Sequence, residues 1–418
     1  MEALMNLNEF VNCLTSGKFD EQLSVLYGYT DMCVLRSRAR YLSAAERFSR
    51  LYPKCGDIRV FSAPEYADIA GDCKILGNGS LLAAAVGRDI AAFAANNNNN
   101  NINVKFPDKS EIAVDLDDLS PKEGECGTLA VIVRGTAAVL AESGAELGGL
   151  DVFVSAENDS SAIPHDVFAV LMTYVMNSFF NGGKLKRDEI AETAKKVQSE
   201  YFGVSANGIG YLLSAEGGFV FADFKNEEEP DVKPVEFDFS KAGYSLCITD
   251  TSGGETAESS TDTELGYMKS VADVLGFEKL SNAEIDDFYK KLPDIRKKCG
   301  DRAVLRAAYY LSENYRARQE VEALDYGDSE EFFRIVNESG GTASIVYQCG
   351  ADLSALMISR RFLGDTGAVR VQGTNTVQAF VPTYLAEEYS AEMERCFGLG
   401  SCNVLSLRKL GVCELIAA

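Results

Sequence analysis

A single histidine, His165, and eleven cysteines scattered from Cys13 to Cys413 limit the chemistry this chain can do. One imidazole cannot build a His-rich metal centre, and with no Cys-x-x-C pair the thiols lack the spacing of a zinc or dithiol site. His165 starts a helix-patterned stretch with no Ser or Cys nucleophile evident beside it, so it reads as a solvent-facing or capping residue rather than a base. What remains are carboxylates, hydroxyls and backbone amides. Asp68, Asp72 and Lys74 lie in FSAPEYADIAGDCKILGNGSLLAAAV, and Ser160-Ser161 lie in SAENDSSAIPHDVF. The second segment joins an apolar run of strand length, Leu150 to Val154, to a periodic helix carrying Val167, Val170, Leu171, Tyr174 and Val175. Amides at such a strand-to-helix junction are placed to hold phosphate.

The elements that must position these residues are mixed. Tyr41, Leu42, Ala45, Phe48 and Leu51 recur at helical spacing before Pro53, so the first fifty-odd residues read as helices. Strands are expected at IRVFS from Ile58, at LLAAAV from Leu81, at AAFAA from Ala91 and at NVKF from Asn103, with the run Asn96 to Asn101 as a long hairpin loop. Leu129 to Val133 also reads as a strand. A helix follows over about Asp188 to Tyr201, then a strand in GGFVFADF, an acidic turn in NEEEPDVKP and a loop in DTSGGETAESSTDTE. Helices at Met268–Leu275, Ala303–Leu324, Ser329–Asn337 and Leu353–Phe362 precede a last α/β portion. Its strands lie near Ala368–Gln372, Val377–Val381 and Cys402–Leu405, around a helix from about Tyr384 to Cys396. The expected division is 1–57 as a helical extension, 58–240 as an N-terminal lobe and 241–418 as a C-terminal lobe.

The 418 residues are 46% hydrophobic and 25% charged, enough to bury a core without bridges or metals. Forty basic against 63 acidic side chains leave a net charge of −23, which argues against a nucleic-acid partner and against anionic membranes. The opening MEALMNLNEF carries acid where a signal peptide carries base, and no long apolar run follows. With its unpaired thiols, the chain reads as cytoplasmic.

Phe61 to Val86 resembles the first motif of galactokinases, members of the GHMP family of small-molecule kinases. The similarity continues in order through FNGGKLKRDEIAETAKKVQSEYFG, GGFVFADF, GYSLCITDTSGG, and GAVRVQG followed by VQAFVP, and it includes the helical extension of a bacterial subgroup. The resemblance implies an α+β, two-lobed GHMP fold. Its N-terminal lobe would be like domain 2 of ribosomal protein S5, its C-terminal lobe ferredoxin-like, with the site between them. It also implies transfer of the terminal phosphoryl group of MgATP to the anomeric hydroxyl of galactose. That chemistry needs a carboxylate to orient or deprotonate the hydroxyl, a cation to offset developing charge, and amides to cradle the phosphates.

Position by position, the resemblance points to losses. The family's first-motif Arg falls on Tyr66, and its catalytic Asp and the Gln after it fall on Gly210 and Tyr211. The sugar-binding Glu-His-Thr-Asp falls on Asp72, Cys73, Lys74 and Ile75, where only Asp72 keeps the chemistry. In the phosphate loop Ser160-Ser161-Ala162 superficially resembles the family's serine run but is displaced from it, Glu157 and Asp159 would repel a polyphosphate, and Pro164 has no N–H to offer. Either serine could simply cap the following helix. The third, glycine-rich motif keeps only Gly373 and reads as a tight hairpin. The expectation is a galactokinase-like protein impaired in catalysis that acts by binding a ligand, a sugar or a nucleotide, or a protein the sequence does not name. Its alternative is an active sugar kinase with another substrate and replacement residues such as Asp68, Asp72 or Lys74. MgATP is the cofactor the resemblance implies, against the grain of the altered phosphate loop. No metal-ligand set is assigned.

Overall fold

In the long strand Ser80–Asn96, Ala91, Phe93 and Ala95 enter one hydrophobic cluster while Ile90, Ala92 and Ala94 enter another. Successive strand side chains point to opposite faces, so this strand is covered on both sides, which explains its nearly continuous apolar sequence. The computed structural model describes residues 5–71, 79–156, 163–202, 209–226, 230–239, 241–252, 261–347, 350–372 and 375–417.

The chain begins with helices α1 (Leu7–Thr15), α2 (Asp20–Tyr27) and α3 (Asp31–Leu51). Strands β1 (Ile58–Gly71), β2 (Ser80–Asn96), β3 (Asn101–Lys105) and β4 (Glu111–Asp115) follow, then α4 (Leu129–Glu142) and β5 (Leu150–Ser155). Helices α5 (His165–Phe180), α6 (Arg187–Val197) and α7 (Gly210–Glu216) lead to strands β6 (Phe219–Asp223), β7 (Asp231–Val235) and β8 (Tyr244–Asp250). Six helices come next: α8 (Thr261–Leu275), α9 (Ile285–Lys290), α10 (Leu292–Cys299), α11 (Asp301–Asp325), α12 (Ser329–Tyr347) and α13 (Ala351–Leu363). Strands β9 (Ala368–Val371) and β10 (Thr376–Pro382), helix α14 (Ala386–Phe397), and strands β11 (Cys402–Leu405) and β12 (Cys413–Glu414) close the order, so the architecture is α+β.

Two compact units result, and neither is one stretch of chain. The first comprises 1–67, 85–218 and 408–418, the second 68–84 and 219–407.

In the first unit the strands run β12-β1-β2-β5-β3-β4, with β3 parallel to β5 and β5 antiparallel to β2. Helices α1 to α3 cover one face through Phe10, Leu14, Leu23, Tyr41 and Phe48, and α4 to α6 cover the other through Val133, Val170, Leu171 and Ala194. The extension is held at its start by a reciprocal cap: Glu9 N–H donates to Asn6 Oδ1 and Asn6 N–H to Glu9 Oε2, each at 3.0 Å.

Three sequence expectations change here. LLAAAV and AAFAA are one strand, because both charged residues between them are paired: Asp89 is buried, and half-buried Arg88 donates to Glu65. Leu129 to Val133 is the first part of helix α4, whose buried Arg134 donates to Glu125 at 2.7 and 2.8 Å and to the Asp118 carbonyl at 2.7 Å. A β-branched run says strand locally, but the 14 residues that carry this paired arginine pack as helix. The asparagine run is no hairpin: β5 lies between β2 and β3, and Asn97 and Asn103 each donate to Asp151 Oδ1 at 2.8 Å, tying the connection to the intervening strand.

The second unit holds an antiparallel sheet in the order β11-β8-β10-β9, with Ala343, Leu356, Tyr389 and Met393 of α12 to α14 packed on it. Helices α8 to α11 form a separate cluster around Phe288, Ile295 and Tyr310. The first residues of β2 pair with β6, Leu82 opposite Phe221, and β6 pairs with β7. Part of the expected acidic turn is thus strand β7. The loop from Asp250 lies largely outside the described residues. No described helix is long and apolar enough to cross a membrane.

Candidate active site

Helix α5 starts at His165 with Pro164 in the N-cap position, extended at φ −61° and ψ 125°. Its N-cap is not Ser160 or Ser161, so the capping expected of them is replaced by a proline with no side-chain cap bond; both serines, with Glu157 and Asp159, lie outside the described residues. His165 is half-buried in the first turn. The next residue, Asp166, is the one sequence reasoning missed. Its Oδ1 accepts the Val167 N–H at 2.9 Å, and a carboxylate in a first helical turn is favoured by the helix dipole.

Its other oxygen faces the residues that the resemblance singled out. Tyr66, half-buried on β1, donates its hydroxyl to Asp166 Oδ2 at 2.8 Å. Gly210 is the first residue of α7 and is buried against the same pair. A Cβ built on it would lie 2.0 Å from Asp166 Oδ2, 2.5 Å from Tyr66 Cε1 and 2.7 Å from Tyr66 Cζ. These distances are far inside van der Waals contact, and the tyrosine ring is bulk that cannot rotate away about a single bond at its tip. Position 210 can therefore carry no side chain while Tyr66 and Asp166 stand where they do.

Tyr211, the next residue, is buried in the hydrophobic core of the first unit. Burial and the nearby Asp166 charge both push its hydroxyl well above the usual tyrosine range, so it is a neutral group at any ordinary pH. On β1 next to Tyr66, Glu65 is buried and receives a hydrogen bond from Arg88 Nε at 2.7 Å. That arginine is committed to an ion pair within the sheet.

In the second unit the strand end after Tyr66 is gripped by its backbone. Gln372 and Gln378 donate to the Asp68 carbonyl at 2.5 and 2.9 Å. Arg370 donates to the carbonyls of Ile69 and Gly71, both at 3.1 Å. This arginine, 2% exposed, holds main chain and stands 3.5 Å from Glu313. Asp72, Cys73, Lys74 and Ile75 follow immediately and lie outside the described residues, as does Gly373. On either side of Gly373, β9 and β10 pair antiparallel with Val371 opposite Val377, and Asn375 adopts φ 62°, a left-handed conformation that asparagine tolerates in tight turns.

Of the sequence-assigned site residues, the structure brings together Tyr66, Gly210 and Tyr211 and adds Asp166. The signal that could have found Asp166 was chemical: a half-buried tyrosine replacing a cation needs an acceptor, and the acidic residue opening α5 is available. Among the described residues no group of three or more His, Cys, Asp or Glu side chains is arranged to hold a metal ion. For a polyphosphate, the described start of α5 is a poor fit: the Val167 amide is used by Asp166, whose carboxylate also places negative charge there.

No protein-family model matches the sequence. A galactokinase of Clostridium tetani is 20% identical over 319 residues, 75% of this chain and 80% of the relative. A galactokinase of Lactococcus lactis subsp. cremoris is 22% identical over 348 residues, covering 78% of this chain and 83% of the relative. Among solved structures, that of Lactococcus lactis galactokinase complexed with galactose superposes with a TM-score of 0.66 at 18% identity, over 89% of this chain and 99% of that one. The chain is thus similar in sequence to galactokinases over most of its length, and its fold is the GHMP kinase fold.

Proposed function

We propose that this chain, with the fold of GHMP sugar kinases and a galactokinase-like sequence, has given up phosphoryl transfer and works by binding a sugar-class ligand. The observation that carries the proposal is the closure of position 210 by the Tyr66–Asp166 hydrogen bond. Galactokinase chemistry, as the resemblance implies it, sets a carboxylate on the attacking hydroxyl and a cation beside the transferring phosphoryl group. Here the first position is a glycine with no room for a side chain, and the second is a neutral ring that donates to a carboxylate instead of stabilising an anion. Loss of a general base alone costs about 10²–10⁴ in rate, and loss of a charge-stabilising donor about 10²–10³. MgATP, the cofactor implied by the resemblance, is accordingly not a working cofactor in this proposal. The described cysteines are all free thiols, which supports a reducing, cytoplasmic setting.

A second reading is favoured by one observation only. Asp166 Oδ2 lies 2.0 Å from the point a Cβ on Gly210 would occupy, so its carboxylate could stand in for the family carboxylate in a kinase with another substrate.

One experiment separates the two: ADP release from MgATP across a panel of sugars, with an authentic galactokinase alongside and melting temperature followed in the same wells. The proposal expects a sugar to raise the melting temperature with no turnover above a mock-purified control. Sugar-dependent turnover abolished in Asp166→Asn would overturn it in favour of the second reading. Turnover that survives Asp166→Asn would sink both.

A further inference from the structure

The protein carries a net charge of −23, yet one cavity of its first unit is rimmed by cations. The cavity has a volume of about 400 Å³ and opens where the end of α3 meets the turn between β3 and β4. Arg47 and Arg50 reach it from α3, Lys105 from the end of β3 and Lys109 from the turn after it. Phe106 and Phe153, both buried, supply its apolar wall.

The charges are available. Arg47 and Lys109 are exposed, and neither has a carboxylate partner among the described residues. Arg50 pairs with Glu46 on the exposed helix surface, a contact of little net strength. Lys105 stands 3.9 Å from Glu111, the one acidic residue of the lining, and its ammonium lies 5.3 Å from the centre of the Tyr52 ring. Four cations against one carboxylate make a local positive charge on a chain whose net charge is −23. Lys109 adopts φ 69°, and Asp108 Oδ1 fixes that turn by accepting the Ser110 N–H at 2.9 Å. The rim is therefore set by backbone geometry as well as by side-chain choice.

We infer that this cavity between the helical extension and the β3–β4 turn binds a small phosphate-bearing molecule with an aromatic body. Apolar walls with a few placed charges are the ordinary make-up of a small-molecule site, and about 400 Å³ suits a molecule of one or two rings. Arginine and lysine together favour a dianionic phosphate over a singly charged carboxylate. The inference uses neither Tyr66, Asp166 nor Gly210, and it stands apart from the proposed sugar-binding function.

The test uses the full chain and 1-naphthyl phosphate as the probe, followed by calorimetry and by the probe's fluorescence. Saturable binding is expected, at least about tenfold tighter than inorganic phosphate, 1-naphthol or 1-naphthoate, and weakening as salt is raised. Arg47→Glu with Lys109→Glu should cost about tenfold or more in affinity with the melting temperature unchanged, both residues being exposed. Should that double variant melt early, Arg47→Gln with Lys109→Gln is expected to show the same loss in a smaller degree. Equal binding by the charge-altered proteins, equal binding of 1-naphthoate, or no saturation up to about 10 mM probe would overturn the inference.

Discussion

Tyr66 and Asp166, 100 residues apart in the chain, meet through a 2.8 Å hydrogen bond against the bare Cα of Gly210. The three positions form one packing unit, and none can be changed without the others responding. A change at 210 is thus a steric test of the site before it is a chemical one.

Gly210→Ala should lower stability by about 1–3 kcal/mol, the cost of forcing a methyl group into an overpacked site, seen as a fall in the urea midpoint at constant slope. In an Asp166→Ala background the same change should cost less by about 1 kcal/mol or more, because the nearest clash is gone. Additive losses in that double-mutant cycle would mean the three residues do not share one space.

Asp89 predicts the acid limit of the first unit. It is 1% exposed, ion-paired to Arg40 and, at 3.4 Å, to Arg408, and it accepts from Ser62 and from Tyr27 at 2.6 Å. Burial alone would raise its carboxyl, but the two guanidinium groups and the two hydroxyls outweigh burial and hold it below the ordinary value. A depressed carboxyl contributes stability that is complete above its unfolded value, about 4, and is lost as pH falls through the folded one. Unfolding free energy should therefore drop steeply below about pH 4, and Asp89→Asn should lose about 3–5 kcal/mol at neutral pH while flattening that acid slope.

Glu320 works in the opposite sense. It is fully buried on α11, neither carboxyl oxygen has a hydrogen-bond partner among the described residues, and burial pushes its carboxyl up to about 8 despite the Arg370 charge. A raised carboxyl makes the folded state hold a proton that the unfolded chain releases above about pH 4.5. Its contribution thus falls as pH rises from there to about 8, where the folded group also ionises, and is level beyond. Glu320→Gln should be stabilising at pH 9 by roughly 2–4 kcal/mol and nearly neutral at pH 4, measured by denaturant unfolding at both. A pH-independent difference would contradict the burial of an ionisable group there.

Arg370 is expected to act through the backbone it holds. Arg370→Met would strip the carbonyls of Ile69 and Gly71 of their donor and leave Glu313, 3.5 Å away, without that charge. A loss of about 2–4 kcal/mol should follow, with faster amide exchange concentrated in Asp68 to Gly71. Uniform acceleration across the sheet would instead indicate a global effect.

Much of this architecture was legible in the sequence because burial writes itself into periodicity. Helix α5, strand β5 and the late helices α11 to α13 all show it, and the helical extension does too. The failures have a common physical cause, in that a paired charge inside the core reads locally as an interruption. Asp89 split β2 into two expected strands, and Arg134 lent no hint that Leu129 to Val133 begins a helix. Asp89 is explained by a partner far away in sequence, Arg408, and Arg134 by a glutamate of the preceding loop, Glu125, whose pairing no periodicity announces. The asparagine run misled for a topological reason, since no local feature reveals that a strand 50 residues later inserts between β2 and β3. At the site, the resemblance located Tyr66 and Gly210, residues defined by what they lack. Asp166 escaped because its meaning lies in a hydrogen bond across the first unit.

The course of the chain between its two compact units has a practical consequence. It passes from one to the other after Ala67, Ala84, Gly218 and Leu407, and two of these crossings fall inside strands β1 and β2. No single cut can free either unit, since any fragment ending between the crossings abandons strands the remainder needs. A genetic dissection by truncation would report insolubility everywhere and mistake it for function, so this molecule has to be studied residue by residue, in one piece.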